Sequence, residues 1–401
     1  GVSVSISGPR AIVGSPSNFG TADSGAAYLF DVATTKQISK LVTDDGALND
    51  LFGLSVAIGG TMAIVGAPYD DNDNGHNAGS AYLFDTSNIA WNSTVTQSKK
   101  LLPNDGTAKD NFGESVAISG TRVVVGAPHD KVKGWLSGSA YIFDTVTGLE
   151  IHKLYPDDGA AYDEFGTSVA ISDEIAIVGA PYDSDNGQES GSAYVFDIET
   201  GSMIGKLLPD DGSENDHFGW SIAIKGTMAL VGAKWDADNG NQSGSTYLFD
   251  ISDPDNITQI KKLIPSDGAV GDSFGMSVAI SSMTAIVGSH LDDSGSAYLL
   301  DISDPSDSSD MTQIKKLRPS GGQDFDLFGV SVAVSGTTLV VGAPGDEYSN
   351  YHDAGSAYLF DISDLSDIKT IKKLWPNNKL KGGTFGVSVA INGTIVIVGA
   401  N

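Results

Sequence analysis

The chain contains no cysteine, which removes disulfides, thiolate-held zinc and thiol nucleophiles together and leaves the redox compartment open. Basic residues are scarce. Against 51 Asp and Glu there are 23 Lys and Arg, a formal charge of -28 over 401 residues. A field of that sign repels nucleic acid and anionic lipid rather than steering them in, so neither is expected as a partner. Long apolar runs are missing too. Residues 394–400 form one of the longest, far below the roughly 20 residues of a spanning helix, so membrane insertion is not expected. Nothing resembles a signal peptide, although a chain that opens in mid-repeat at Gly1 is compatible with a leader already removed. The six histidines show no metal-ligand spacing, and there is no Gly-x-Ser-x-Gly elbow, His-Glu-x-x-His or phosphate loop, so no enzyme is expected.

What is present is repetition. With 40% hydrophobic residues and 49 glycines, the chain has enough apolar material for a core. A Phe-Gly pair recurs at Phe52, Phe112, Phe165, Phe218, Phe274, Phe328 and Phe385, and Gly1 aligns with the glycine of the pair. The repeats therefore run 1–51, 52–111, 112–164, 165–217, 218–273, 274–327 and 328–384, with a half repeat at 385–401. Each holds a short alternating run, a tight turn, an apolar run ending in Val-Gly, a polar loop, a Gly-Ser-Ala-Tyr-type strand and a strand ending in Lys-Leu. Period-2 patterning with glycine-bearing turns such as Ser119-Gly120 and Asn392-Gly393 reads as all-β. Four strands in about 50 residues fit one blade of a β-propeller, so the expected fold is a propeller of four-stranded antiparallel blades, seven in number, with eight as the alternative. Eleven of the basic residues fall on the fourth strand, including Lys100, Lys153, Lys206, Lys262, Lys316 and Lys373. Lysine on an outermost strand discourages pairing with another chain, and that edge role is the reading adopted for them.

Phe-Gly, then Ser-Val-Ala, then Val-Gly-Ala-Pro at Val65–Pro68, Val125–Pro128, Val178–Pro181 and Val341–Pro344 resembles the FG-GAP repeat family, best known from integrin α-chain propellers. The resemblance runs over essentially the whole chain. It implies a propeller, usually seven-bladed, in secreted or cell-surface proteins that adhere to protein or carbohydrate ligands without being the catalyst. One departure is plain. The family's calcium loop lies between the first and second strands, where every repeat here has only a tight turn, so that site transfers to no position of this chain.

Acidic loops occur one connection later, between the second and third strands. They read Asp70-Asp71-Asn72-Asp73-Asn74-Gly75, Asp183-Ser184-Asp185-Asn186-Gly187 and Asp236-Ala237-Asp238-Asn239-Gly240. Oxygen ligands at alternating positions before a glycine suit Ca²⁺, which makes Asp71, Asp73, Asp183, Asp185, Asp236 and Asp238 the candidate metal ligands. The competing reading is Asx-turn chemistry with no ion. A second pattern, Asp-Gly with another aspartate five residues after the first, links the repeats at Asp45/Asp50, Asp105/Asp110, Asp158/Asp163, Asp211/Asp216 and Asp267/Asp272. There the second carboxylate is expected to accept backbone N–H groups of the loop before Phe-Gly.

For ligand recognition the candidates are the residues that follow Val-Gly-Ala, namely Tyr69, His129, Tyr182, Trp235 and His290. Rings beside carboxylates can take sugars or basic peptide groups, and the alternative is that they pack between blades. Two functional classes follow. One is an extracellular binding or adhesion propeller, a non-catalytic interaction scaffold for a glycan or protein ligand. The other is a structural subunit of a surface assembly or filament, in which the spare hairpin of residues 385–401 closes the ring or self-associates with a neighbouring chain.

Overall fold

The structure is a computed structural model, and it describes residues 1–16, 24–281, 283–303, 313–319, 321–347, 353–377 and 382–401. Every described element is a strand. The second repeat shows why. Its strands Val56–Gly59, Met62–Ala67, Ser80–Asp85 and Lys99–Leu101 pair antiparallel in that order. The turns between first and second strands place Gly60, Gly120, Gly226 and Gly393 at φ of 57°, 54°, 58° and 60°, the left-handed region a two-residue hairpin requires. The second and third strands carry apolar side chains on both faces, because neighbours cover both. Ile64, Val65, Tyr82 and Leu83 are all fully buried.

Seven such four-stranded sheets follow one another along the chain, and a last hairpin, Val389–Asn392 with Ile395–Val398, forms a two-stranded sheet. They are propeller blades, and the fold is the seven-bladed β-propeller that the repeats predict. The chain divides into two compact units, residues 1–183 with 194–204, and residues 184–193 with 205–401.

The Phe-Gly pair is the joint within each unit. Phe112 packs edge-on against Tyr141 and Phe143 of its own blade, with centroids 5.5 and 5.7 Å apart. Gly113 donates its N–H to the Gly126 carbonyl of the same blade at 2.9 Å. The Gly113 carbonyl faces the preceding blade, where it accepts the Ser55 hydroxyl at 2.7 Å. A Cβ on Gly66 would stand 2.0 Å from that carbonyl oxygen, which no side chain could tolerate. In the second unit Ser221, Gly232 and Gly275 repeat the joint, with the hydroxyl bond at 2.8 Å. Val-Gly and Phe-Gly thus recur because two backbones touch where they stand.

The sequence reading missed one strand. The second repeat is the longest because its third and fourth strands are joined by residues 86–98, and part of this excursion, Ser93–Thr96, pairs in parallel with Lys36–Val42 of the first blade. The outer edge of that blade is therefore covered by chain rather than guarded by lysine alone.

Candidate functional site

Both acidic patterns converge on the fourth-strand lysines. In the fifth blade, Lys262 Nζ lies 2.8 Å from Asp211, 2.8 Å from Asp236 and 2.7 Å from Asp238. The Tyr247 hydroxyl donates to Asp211 at 3.0 Å and to Asp236 at 2.8 Å. In the third blade Lys153 joins Asp105 and Asp130 at 2.6 and 2.7 Å, and Tyr141 bonds both. In the sixth, Lys316 and Tyr298 do the same for Asp267 and Asp292. In the second, Lys100 joins Asp45 and Asp70, while Ser80 donates to Asp70. In the seventh, Lys373 and Tyr358 meet Asp346 at 2.6 and 3.0 Å. In the fourth repeat Tyr194 donates to Asp183 at 2.7 Å, and Lys206 pairs with Asp185 at 2.5 Å.

These bonds settle the protonation states. Burial works against the charge of Lys262, yet its bonds to three carboxylates outweigh that and hold its pKa above the ordinary lysine value. Burial likewise pushes the Asp211 carboxyl up, but the Lys262 ammonium overcomes it and holds the group below the usual range. Burial and the adjoining carboxylates push the Tyr247 phenol well above its ordinary range, so it remains a donor.

The structure therefore revises the lysines. One member of each pair points inward as a counter-ion. Period-2 geometry was the available signal, since adjacent lysines must face opposite sides of a strand. The candidate calcium ligands divide accordingly. Asp183, Asp185, Asp236 and Asp238 belong to the cages just described. Asp71 instead pairs with His76 at 2.8 Å and accepts the Asn77 N–H at 2.7 Å, and Asp73 is exposed. The buried member of that loop is Asp70. Among the described residues no three His, Asp or Glu side chains are arranged to hold a metal ion, and in the cages a lysine nitrogen holds the position a cation would take. As found, these donors do not fit calcium.

The second carboxylate of each inter-repeat pattern behaves as expected from the sequence. Asp50, Asp110, Asp163, Asp216 and Asp272 accept the N–H three residues upstream at 2.5–2.7 Å. Asp326 does the same toward Gln323 at 2.8 Å, while the corresponding residues 378–381 lie outside the described ones. With few such bonds and other carboxylates nearby, burial pushes Asp216 up to about 7 and Asp50 and Asp326 up to about 6.

The ring-bearing candidates lie at the strand ends where these loops begin, all half-buried. Tyr69 lines a cavity of about 440 Å³ with Leu48, Asn49, Asp71, His76 and Asn77. His129 and Tyr182 hold the equivalent places in their blades, and burial lowers the pKa of His129. His290 is one place off. The Tyr69, His129 and Trp235 N–H groups bond the carbonyls of Asp50, Asp110 and Asp216, whereas in the sixth blade it is Leu291 that bonds Asp272. His290 stands where Pro68, Pro128 and Pro181 stand in other repeats, and the fifth blade has Lys234 at that position.

That substitution creates a cluster the sequence reading missed. Lys234, 7% exposed, lies over the Trp220 ring and 4.7 Å from the Trp235 centroid. His217, held at φ 55° just before Phe218, packs on Trp235 with centroids 4.2 Å apart and meets Glu189 at 3.3 Å. Burial lowers Lys234 to about 8, and burial with the Lys234 charge lowers His290 to about 4. A larger cavity, about 820 Å³, opens at the opposite strand ends of the first three blades, among the hairpin turns of Ser7, Gly60 and Gly120.

No curated protein matches the chain. The FG-GAP repeat matches at residues 35–84, 95–143, 149–196, 202–249, 257–300 and 311–360, each span running from a fourth strand across the Phe-Gly joint to the third strand of the next blade. Together these cover most of the sequence, and the chain belongs to the FG-GAP repeat family.

Proposed function

We propose that this chain is an extracellular or cell-surface binding propeller, a non-catalytic scaffold that presents its loop-bearing strand ends to a protein or glycan ligand. FG-GAP propellers are interaction scaffolds as a class. The observation that carries the reading is the variation at one position. Where the joint and the core repeat almost unchanged, the position two residues past the second strand holds half-buried Tyr69, His129, Tyr182 and Trp235, then exposed Leu291 and buried Gly345. A purely structural part would be expected to repeat as the rest does. Half-exposed rings also offer apolar area at little cost in rotamer entropy. Glycan-array and protein pull-down measurements test the reading, with binding expected to fall when Tyr182 and Trp235 are changed to alanine. Full retention of binding in that double variant would remove the rings from the reading.

A second reading, assembly through strand exchange, is favoured by the last hairpin. Ile395 is 40% exposed, whereas the corresponding second strands of the earlier repeats are buried along most of their length. Electron microscopy and sedimentation should then show filaments or oligomers that disappear when residues 385–401 are removed. Dispersed monomers in the full chain would count against assembly.

A further inference from the structure

The half-buried fourth-strand amines of Lys262 and Lys316 are met by carboxylates. Lys234 has no acidic partner among the described residues, although it is more than nine-tenths buried. His290 Nδ1, also out of contact with solvent, has no hydrogen-bond partner. Both replace a proline of the repeat in adjacent blades of one compact unit, so the pairing is peculiar to this place. Around the ammonium stand two half-exposed indoles, Trp220 and Trp235, and the second is backed by His217, which Glu189 tethers. A buried ammonium without a counter-ion is costly, and ring faces compensate only in part. In a protein of formal charge -28, the missing partner is a negative group that the chain itself withholds here.

We propose that Lys234, with His290 beside it, receives the carboxylate of an acidic sugar residue whose ring stacks on Trp235. The inference rests on the binding reading above and names the ligand class for this end of the fifth blade. A pyranose presents a flat C–H face suited to an indole, and its carboxylate would give Lys234 the charge-assisted bond it lacks. A single carboxylate suits the site better than a polyanion, which the negative field of the whole chain repels. Burial brings Lys234 down to about 8, so that alone it loses part of its charge at mildly alkaline pH, and a bound carboxylate would return it to the charged state.

The test uses the full chain and glucuronate as the probe, with methyl glucoside as the neutral control, read by tryptophan fluorescence and calorimetry. Glucuronate is expected to perturb the emission and methyl glucoside to leave it unchanged. Lys234→Met should weaken glucuronate about tenfold or more, while Lys234→Arg retains most of it. A thermal melt of each variant checks folding, and His290→Gln supplies a second variant should Lys234→Met melt early. No response to glucuronate, or an unaltered response in folded Lys234→Met, overturns the proposal. An equal response to acetate overturns the sugar and leaves only an anion site. If the arrays find a ligand whose binding ignores Lys234 and His290, the broader binding reading stands and this one fails.

Discussion

Two lysines of the fifth blade, buried Lys234 and half-buried Lys262, are both shielded from water and differ in almost every other respect. Lys262 reaches three carboxylates and a tyrosine ring, whereas Lys234 is enclosed by two tryptophans and meets no acid among the described residues. The first is held more firmly protonated than free lysine, and the second is brought down to about 8. Burial disfavours the ammonium in both cases, so the difference comes from what each site supplies afterwards. Lys262 is part of the scaffold and has counterparts in other blades. Lys234 is an exception within the repeat, which is where a function separate from folding is to be sought.

The comparison breaks most visibly at Lys262. Lys262→Met leaves Asp236 buried without its counter-charge and should cost about 3–5 kcal/mol, read from the denaturant midpoint. Adding Asp236→Asn should recover much of that loss. A single-variant loss below about 1 kcal/mol would mean that the cage contributes little to folding.

Asp216 tests the ground between the two lysines, since it feels Asp236 and Lys262 while its carbonyl accepts the Trp235 N–H. Its pKa is raised in the folded chain, so folding favours its proton. The stability this gives is complete below about 4 and is lost as pH rises through about 7, with Asp50 and Asp326 following through about 6. Asp211 and Asp267 work in the opposite sense, because their lowered pKa values make their contribution disappear at the acid end. Melting temperature should therefore rise from pH 7.5 to about 5 and decline below about 3.5. Asp216→Asn should stabilise by about 1–2 kcal/mol at pH 7.5, with the gain shrinking toward pH 4.5. A melting temperature flat from pH 5 to 7.5 would refute the assignment.

Lys234→Met should stabilise the unliganded chain by about 1 kcal/mol at pH 7, because it removes a buried charge without a counter-ion. The penalty of that charge is complete below about 8 and fades toward the unfolded value of 10.5, so the gain should fade over the same window. A loss of stability at every pH would mean that ring contacts outweigh desolvation. The smallest expected effect is that of calcium. With lysine nitrogens on Asp236 and Asp70, millimolar Ca²⁺ should leave the melting temperature unchanged, and a clear upward shift would show that an ion displaces them.

The fold was legible because its signals are local and repeated. Phe-Gly and Val-Gly mark a contact between two backbones, and the same contact leaves the same letters in each repeat. The inter-repeat aspartates were legible for a related reason, since Asp50 and Asp216 cap residues only three positions away. The cages were not. Asp211, Asp236 and Lys262 are far apart in sequence, and the acidic loop by itself looks like an ion site until the strand opposite supplies its ammonium. The Lys234 cluster was missed because it is a departure from the repeat, and His290 was placed one position late by counting from Val-Gly.

The excursion of residues 86–98 has a practical consequence. It keeps the register between Ser80–Asp85 and Lys99–Leu101, in a ladder shortened to three pairs, while laying a strand on the neighbouring blade. The third blade makes the same connection with a short turn at residues 145–149. The gap between third and fourth strands therefore accepts added sequence without a change of register. Foreign peptides inserted at residues 145–149 should be displayed on an unaltered blade, which makes this connection a natural grafting point.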